Sequence, residues 1–288
     1  MEHVIQSTEN EEISIKELIN IVKKHGRFVV SLTMVAGLGA GIAAFLVPKW
    51  YEASIVLSPV SSTSGGLAGS ATSQLGGLAA LAGISVGSDS KKSESLAFLQ
   101  SNGLATMYIR SNDLLPILYA KRWDAGLKNW KRKDDPPTLW KASQYLKKDL
   151  RKVTSDTKTG IVTLTIKWTD PAIAAVWANG LVRMANEYLR NKAIEESERN
   201  IGYLSAEAAK TTVVEAKQAI YTVLQNELNK SMIARGSEEY AFKVVDPAVA
   251  SEKPASPIKI LWITVGLFSG LFVSLGIIFV SLALRSDD

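Results

Sequence analysis

Apolar residues run without a charge through "FVVSLTMVAGLGAGIAAFLV" (28–47) and again through "ILWITVGLFSGLFVSLGIIFVSLAL" (260–284). Each run is long enough to cross a bilayer core, which takes roughly 20 residues. Lys16, Lys23, Lys24 and Arg27 precede the first run, and Lys49 alone follows it closely. The positive-inside rule then keeps the N-terminus in the cytoplasm. A cleaved signal peptide is disfavoured, because its apolar core is usually only about 7–15 residues and it needs a small-residue cleavage site. The second run returns the chain. The pattern therefore predicts a cytoplasmic tail (1–27), a first span (28–47), a large domain outside the cytoplasm (48–259), a second span (260–284) and a short cytoplasmic end (285–288). Trp50 and Tyr51 leave the first span and Trp262 enters the second, at the interfacial level where aromatic anchors gather. Gly37 and Gly41 in one span, and Gly266 and Gly270 in the other, are four apart. That spacing lets helix backbones approach closely where lipid gives no hydrophobic drive, so the two spans are expected to pack, within or between subunits.

The 212 residues between the spans alternate between strand and helix signals. "YEASIVLSP" (51–59) reads as a strand ended by proline. "SSTSGGLAGSATSQLGGLAALAGISVGSDS" (61–90) is rich in glycine, serine and alanine. Its composition fits a flexible loop, and its apolar "LGGLAALAG" core fits burial in a subunit contact equally well. A helical pattern spans Ser95 to Tyr119, and Pro137 is well placed to open another helix. "TGIVTLTIKWT" sets Val162, Leu164, Ile166 and Trp168 on one face of a half-buried strand. Asp170 followed by Pro171 is helix-opening chemistry, with Ile173, Trp177, Leu181, Met184 and Tyr188 as the expected buried stripe. "RNKAIEESERN" is nearly all polar, so the helix is expected to leave the core there. A straight helix from Pro171 to Arg235 would reach about 97 Å at roughly 1.5 Å per residue. The 24 residues left before the second span extend at most about 86 Å, and "YAFKVVDPAV" among them reads as a strand. A turn near Thr211-Thr212 resolves this, with "TVVE" (212–215) as a capping box and a helical hairpin from Pro171 to about Ala209 and from Val213 to about Arg235. The expected fold class is α+β: two transmembrane helices flanking a large α/β base domain from which a long helical hairpin protrudes.

Composition narrows the chemistry. The chain has no cysteine, and its two histidines, His3 and His25, lie in the first 25 residues. Thiol, imidazole-triad and most zinc chemistry are thereby excluded from the large domain. No G-x-x-x-x-G-K-[ST] phosphate loop is present. Asp134 and Asp135 sit together in a proline turn, and Glu195, Glu196 and Glu198 lie on the polar helix segment, so no facing carboxylate pair is implied. No catalytic residue, metal or cofactor is expected. The region 48–259 carries 28 Lys and Arg against 21 Asp and Glu. Much of the excess falls in "KRWDAGLKNWKRK" (121–133), where Lys121, Arg122, Lys131, Arg132 and Lys133 flank Trp123 and Trp130. Basic residues with aromatics can hold nucleic acid, but outside the cytoplasm an acidic glycan or anionic membrane lipid is the better candidate, beside a simple solvated turn.

Several strings together are similar to one family. "ISIKELINIVKKHGRFV" leads into the first span, "YEASIVLSP" leaves it, "WTDPAIAAVWANGLV" opens the long helix, and "EYAFKVVDPAVASEKPASPIK" leads into the second span. Across nearly its whole length the chain resembles the Wzz-type polysaccharide co-polymerases, the chain-length determinants of bacterial surface polysaccharides. The resemblance implies a two-pass protein of the bacterial inner membrane with a periplasmic main domain and no catalytic residues. It implies a ring-like homo-oligomer that acts with a Wzy-type polymerase on a polysaccharide or its lipid-linked precursor, such as O-antigen in lipopolysaccharide biosynthesis. Pro254, Pro257, Gly266 and Gly270 match the family's second-span region. Some relatives carry a fused cytoplasmic tyrosine kinase, for which the residues after the second span leave no room. A structural component of a polysaccharide or capsule export complex is the alternative. A two-span sensor lacks a cytoplasmic output, and a glycan-cleaving enzyme lacks the carboxylate pair.

Overall fold

The computed structural model describes residues 25–60, 88–132 and 134–286. The "LGGLAALAG" stretch, Lys133, residues 1–24 and the last two residues lie outside them. The chain divides into two units, one holding its two ends (1–50 and 254–288) and one holding 51–253.

The first unit is a pair of apolar helices, α1 (Gly26–Leu46) and, at the other end of the chain, Lys259–Ser286. Their mean hydropathies of 2.1 and 2.4 over membrane-length windows follow from the absence of charge within the runs. They lie antiparallel, Thr33 and Ala36 meeting Gly270 while Gly41 meets Ile263. Outside the helices, Trp50 and Ser256 form an isolated antiparallel bridge, with Trp50 N–H donating to Ser256 O at 2.9 Å and Ala255 N–H to Trp50 O at 2.8 Å.

The second unit is built on a four-stranded antiparallel sheet. Its strands are β1 (Tyr51–Pro59), β4 (Arg151–Ser155), β5 (Val162–Trp168) and β6 (Phe242–Asp246), in the order β4-β5-β1-β6. Strict alternation in β5 buries Val162, Leu164, Ile166 and Trp168, and β1 adds Ala53, Ile55 and Leu57 to the same face. The opposite face is more open, and there Ser54 and Thr165 hydrogen-bond across the strands at 2.8 Å. Between β1 and β4 come the helices α2 (Ser88–Gln100), α3 (Asn102–Ser111), α4 (Leu115–Leu118) and α5 (Leu139–Tyr145), with a hairpin of two short strands, β2 (Trp123–Asp124) and β3 (Asn129–Trp130), between α4 and α5. The helical pattern expected over 95–119 is broken at Ser101, whose hydroxyl accepts from Leu104 N–H and caps α3. Pro137 does not open α5: Thr138 is the cap, accepting from Lys141 N–H, and Leu139 is the first helical residue.

The long helix α6 (Pro171–Lys210) covers β1 and β5 with its first half. Asp170 caps it, its carboxylate accepting from the N–H groups of Ala172 and Ile173 at 2.8 and 3.1 Å. The buried stripe follows the expected one in part. Trp177 and Leu181 are buried as expected, joined by Ala174, Ala178, Val182, Ala185 and Leu189, whereas Ile173 and Met184 are half-buried and Tyr188 is exposed, its ring stacked on Phe98. Alanine lets the helix lie close to the sheet, and large side chains then splay to the flanks. At Gly180 the helix meets α3 instead: a Cβ there would run into the Tyr108 hydroxyl and stand 3.0–3.1 Å from its ring. Tyr108 is buried, and burial pushes its phenol up to about 12. Gly180→Val is expected to destabilise this unit by about 1–3 kcal/mol, the usual cost of overpacking, as read by chemical denaturation.

A hairpin joins α6 to α7 (Val214–Gly236). The expected capping box does not form. Val213 is the N-cap of α7 and makes no side-chain cap, while the Thr211 hydroxyl turns back to donate to Glu207 O at 2.8 Å. The strand β6 follows, and the helix that closes the chain, Lys259–Ser286, is α8.

Candidate functional site

Each region singled out by the sequence has a defined geometry. Between α1 and α8 the four glycines are not equivalent. A Cβ on Gly266 would stand 2.4 Å from the Ala40 Cβ, one on Gly270 would stand 2.7 Å from the Ala36 Cβ and 2.9 Å from the Thr33 Cα, and one on Gly37 would meet Leu267 at 2.6 Å. Gly41 has ordinary room, with Ile263 at 3.6 Å. Thr33, Ala36 and Ala40 complete the small-residue seam on α1. Around the helix ends, Trp50, Tyr51 and Pro257 are half-buried, Trp262 is exposed, and Lys259 Nζ lies 4.0 Å above the Phe45 ring. Pro254 is exposed in the segment that precedes α8.

The basic segment folds back on itself. Trp123 pairs with Trp130 across β2–β3, their rings edge to face with centroids 4.8 Å apart. The Asp124 carboxylate closes the turn by accepting from Gly126 and Leu127 N–H. Arg122 is paired with Asp135 at 3.1 Å, Lys141 approaches the same carboxylate at 3.8 Å, and Lys131 Nζ donates to Lys121 O. Lys121 and Arg132 make no ion pair among the described residues, so cationic charge and two half-exposed indoles share one surface.

The helical hairpin has a seam with alternating spacings of three and four, Ser197, Ile201, Leu204 and Ala208 on α6 and Ile220, Leu224, Glu227, Ser231 and Ala234 on α7. Such heptad spacing is the signature of coiled-coil packing. Glu227 is buried there, bonded by Lys230 at 2.6 Å and by the Asn200 amide at 3.4 Å. The hydrogen bond from Lys230, helped by Asn200 and Ser197 and opposed by burial, holds its carboxyl below the ordinary value of 4.5. A depressed carboxylate stabilises the fold above that ordinary value, and this contribution is lost as pH falls below 4.5 through the folded-state value. Melting temperature is therefore expected to fall more steeply between pH 6 and pH 3 in the parent than in Glu227→Gln.

Three features lie beyond the sequence reading. Asn186 donates to Phe242 O and accepts from Ala241 and Phe242 N–H, all within 2.9 Å. Asn179, seven residues earlier on the same face, does the same for both backbone groups of Ala248. Arg151 is buried at the start of β4 and donates to Gln100 O and Ser101 O at the end of α2, burial lowering its guanidinium to about 10. Asparagines seven apart among alanines were the available signal for the first two.

An apolar helix pair and an α+β unit with a long helical hairpin define a membrane protein of recognisable type. Residues 11–111 match the family described as "Chain length determinant protein" (Wzz), and residues 211–283 match "G-rich domain on putative tyrosine kinase" (GNVR). The first of these descriptions is the family that the sequence resembles, and the second was not part of that reading. It is 36% identical over 72 residues to "Putative tyrosine-protein kinase in cps region" of Klebsiella pneumoniae, and 35% identical over 72 residues to "Tyrosine-protein kinase etk" of Escherichia coli K12. Those matches cover 25% of this chain and 10% of each relative, so the chain spans about a tenth of the curated relatives it matches. A solved structure titled "full-length bacterial polysaccharide co-polymerase" aligns over 95% of this chain and 99% of its own, with 11% identity and a TM-score of 0.41.

Proposed function

We propose that this chain is a non-enzymatic, membrane-anchored polysaccharide co-polymerase that regulates the length of a surface polysaccharide together with a Wzy-type polymerase. The observation that carries this is the pairing of a Wzz segment that includes α1 with a GNVR segment that includes most of α8. The inner membrane, with both termini cytoplasmic and the 51–253 unit periplasmic, is the placement that the distribution of Lys and Arg supports. The polymer can be O-antigen or a capsule-type glycan, the latter favoured by the cps region in the name of the Klebsiella relative. The surface of β2–β3 is the candidate contact for acidic groups on that glycan or on lipid.

Assembly as a homo-oligomer has support in α7. Beside the seam that faces α6, a second heptad row of Val214, Tyr221, Leu228 and Met232 is exposed. Leu228→Glu would put a charge into any contact made through that row, and self-association of the full chain is expected to weaken at least about tenfold. Mass photometry in nanodiscs reads this directly, and an unchanged oligomer would exclude the row from the interface.

The function itself is tested by the length distribution of surface polysaccharide on gels, in a deletion strain and its complemented parent. Loss of a preferred length with polymer still made is the expected result. Complete loss of surface polymer would favour a structural role in an export complex instead.

A further inference from the structure

The seam between α6 and α7 changes character along its length. Away from the sheet it is apolar, with Ile201, Leu204, Ile220 and Leu224, but nearer the sheet it turns polar at Ser197, Glu227 and Ser231, each under 10% exposed. Polar seam residues cost stability and are retained for register, partner choice or function. Beside this polar stretch lies a cavity of about 680 Å³, walled by α2, α6, α7 and the loop into β6, within the roughly 300–1,000 Å³ of ligand sites.

The walls are chemically mixed. Glu94 and Lys192 join α2 to α6 through a 2.8 Å ion pair, and Lys91 Nζ sits 4.4 Å over the Tyr240 ring. Glu227 and the Asn200 amide meet at the polar stretch, and Ile233 and Leu189 contribute apolar surface. The lining holds three lysines and four glutamates, so neither a strong anion nor a strong cation gains from its field. An uncharged molecule with many hydroxyl groups gains most, since each hydroxyl both donates and accepts and the sugar ring's C–H face suits an aromatic and aliphatic wall.

We propose that this cleft binds a neutral saccharide segment of the polymer, hydrogen-bonded by Glu227 and Asn200 and bordered by Tyr240, a role that rests on the polysaccharide reading above. Because the chain has no cysteine, Ala193→Cys places a single thiol on the cleft wall, and Ser155→Cys places one on β4, outside it. The full chain in nanodiscs is titrated with oligosaccharides released by mild acid from the producing strain's surface polymer, and maleimide labelling rates are followed. Labelling at 193 is expected to slow about tenfold at saturation while labelling at 155 is unaffected. Glu227→Gln, which replaces a charged acceptor by a neutral one, and Asn200→Ala, which removes a neutral hydrogen bond, are each expected to weaken this protection by about tenfold. Ile233→Cys on the opposite wall serves if a thiol at 193 disturbs α6. Protection absent at both 193 and 233, protection equal at 155, or protection unchanged by both substitutions would overturn the proposal. Stronger protection by tetragalacturonate than by a neutral oligosaccharide would overturn the preference for an uncharged ligand. A shifted polymer ladder in the deletion strain with no protection removes the cleft alone, whereas an unchanged ladder removes polysaccharide control and saccharide as the ligand with it.

Discussion

Asn186→Ala is expected to cost the 51–253 unit about 3–5 kcal/mol, a large share of the stability of any domain. The side chain makes three hydrogen bonds to the backbone of Ala241 and Phe242, where the chain enters the edge strand β6. It is 4% exposed and Phe242 is fully buried, so no water replaces what is lost. An unsatisfied buried backbone group costs about 1–3 kcal/mol, and the substitution leaves several groups in that state. Asn186→Asp tests the geometry separately. It keeps the acceptor oxygens for the two N–H groups but loses the donor to Phe242 O and brings a charge into the core. Urea denaturation should rank parent, then the two variants well below it, and a change under about 1 kcal/mol in Asn186→Ala would show that β6 is held by other means.

Gly270→Leu is expected to part α1 from α8. The nearest atoms to a side chain there are the Ala36 Cβ and the Thr33 backbone Cα, and the backbone cannot swing aside as a long side chain can. Association of helices in lipid rests on close packing, so a forced separation should cost about 2 kcal/mol or more. Gly276 supplies the control, since a Cβ there meets nothing within 4 Å and Gly276→Leu should be tolerated. Limited proteolysis of the nanodisc-embedded chain and the length of polymer made in cells are the readouts. A Gly270→Leu variant that matches Gly276→Leu in both would remove the packing role of the glycine seam.

How much of this is legible in the sequence depends on the range over which each signal acts. The strands β1, β5 and β6 show as period-two runs because burial on one face selects every second residue. The helix start at Asp170-Pro171 is local chemistry, and it stands as expected. The hairpin turn near 211 emerges from reach alone, since one straight helix could not return the chain. The buried face of α6 was legible at Trp177 and Leu181 but its alanines were missed, because large side chains draw attention while alanine decides how near a helix can lie. The supposed capping box failed because Val213, one residue after Thr212, takes the cap position, and valine has no side-chain acceptor to offer. The polar cleft is invisible to any window along the chain, its walls coming from residues near 91, 192, 227 and 240. The two indoles of 121–133 were visible as residues, but their edge-to-face pairing depends on the turn that Asp124 closes.

The unbroken course of α6 has a mechanical consequence. Its first half is fixed by alanine packing on the sheet and by Asn179 and Asn186, while its last 20 residues extend roughly 30 Å beyond that anchorage, braced by α7 along their length and by the Lys192–Glu94 ion pair to α2 near their start. It is a lever with its fulcrum near Leu189. A tilt of about 5° at the fulcrum carries the far end through about 3 Å, given a helix of that length. A neighbour or a glycan pressing on the tip therefore works on the sheet through a long arm, and the clamp at Asn186 is where that load is borne.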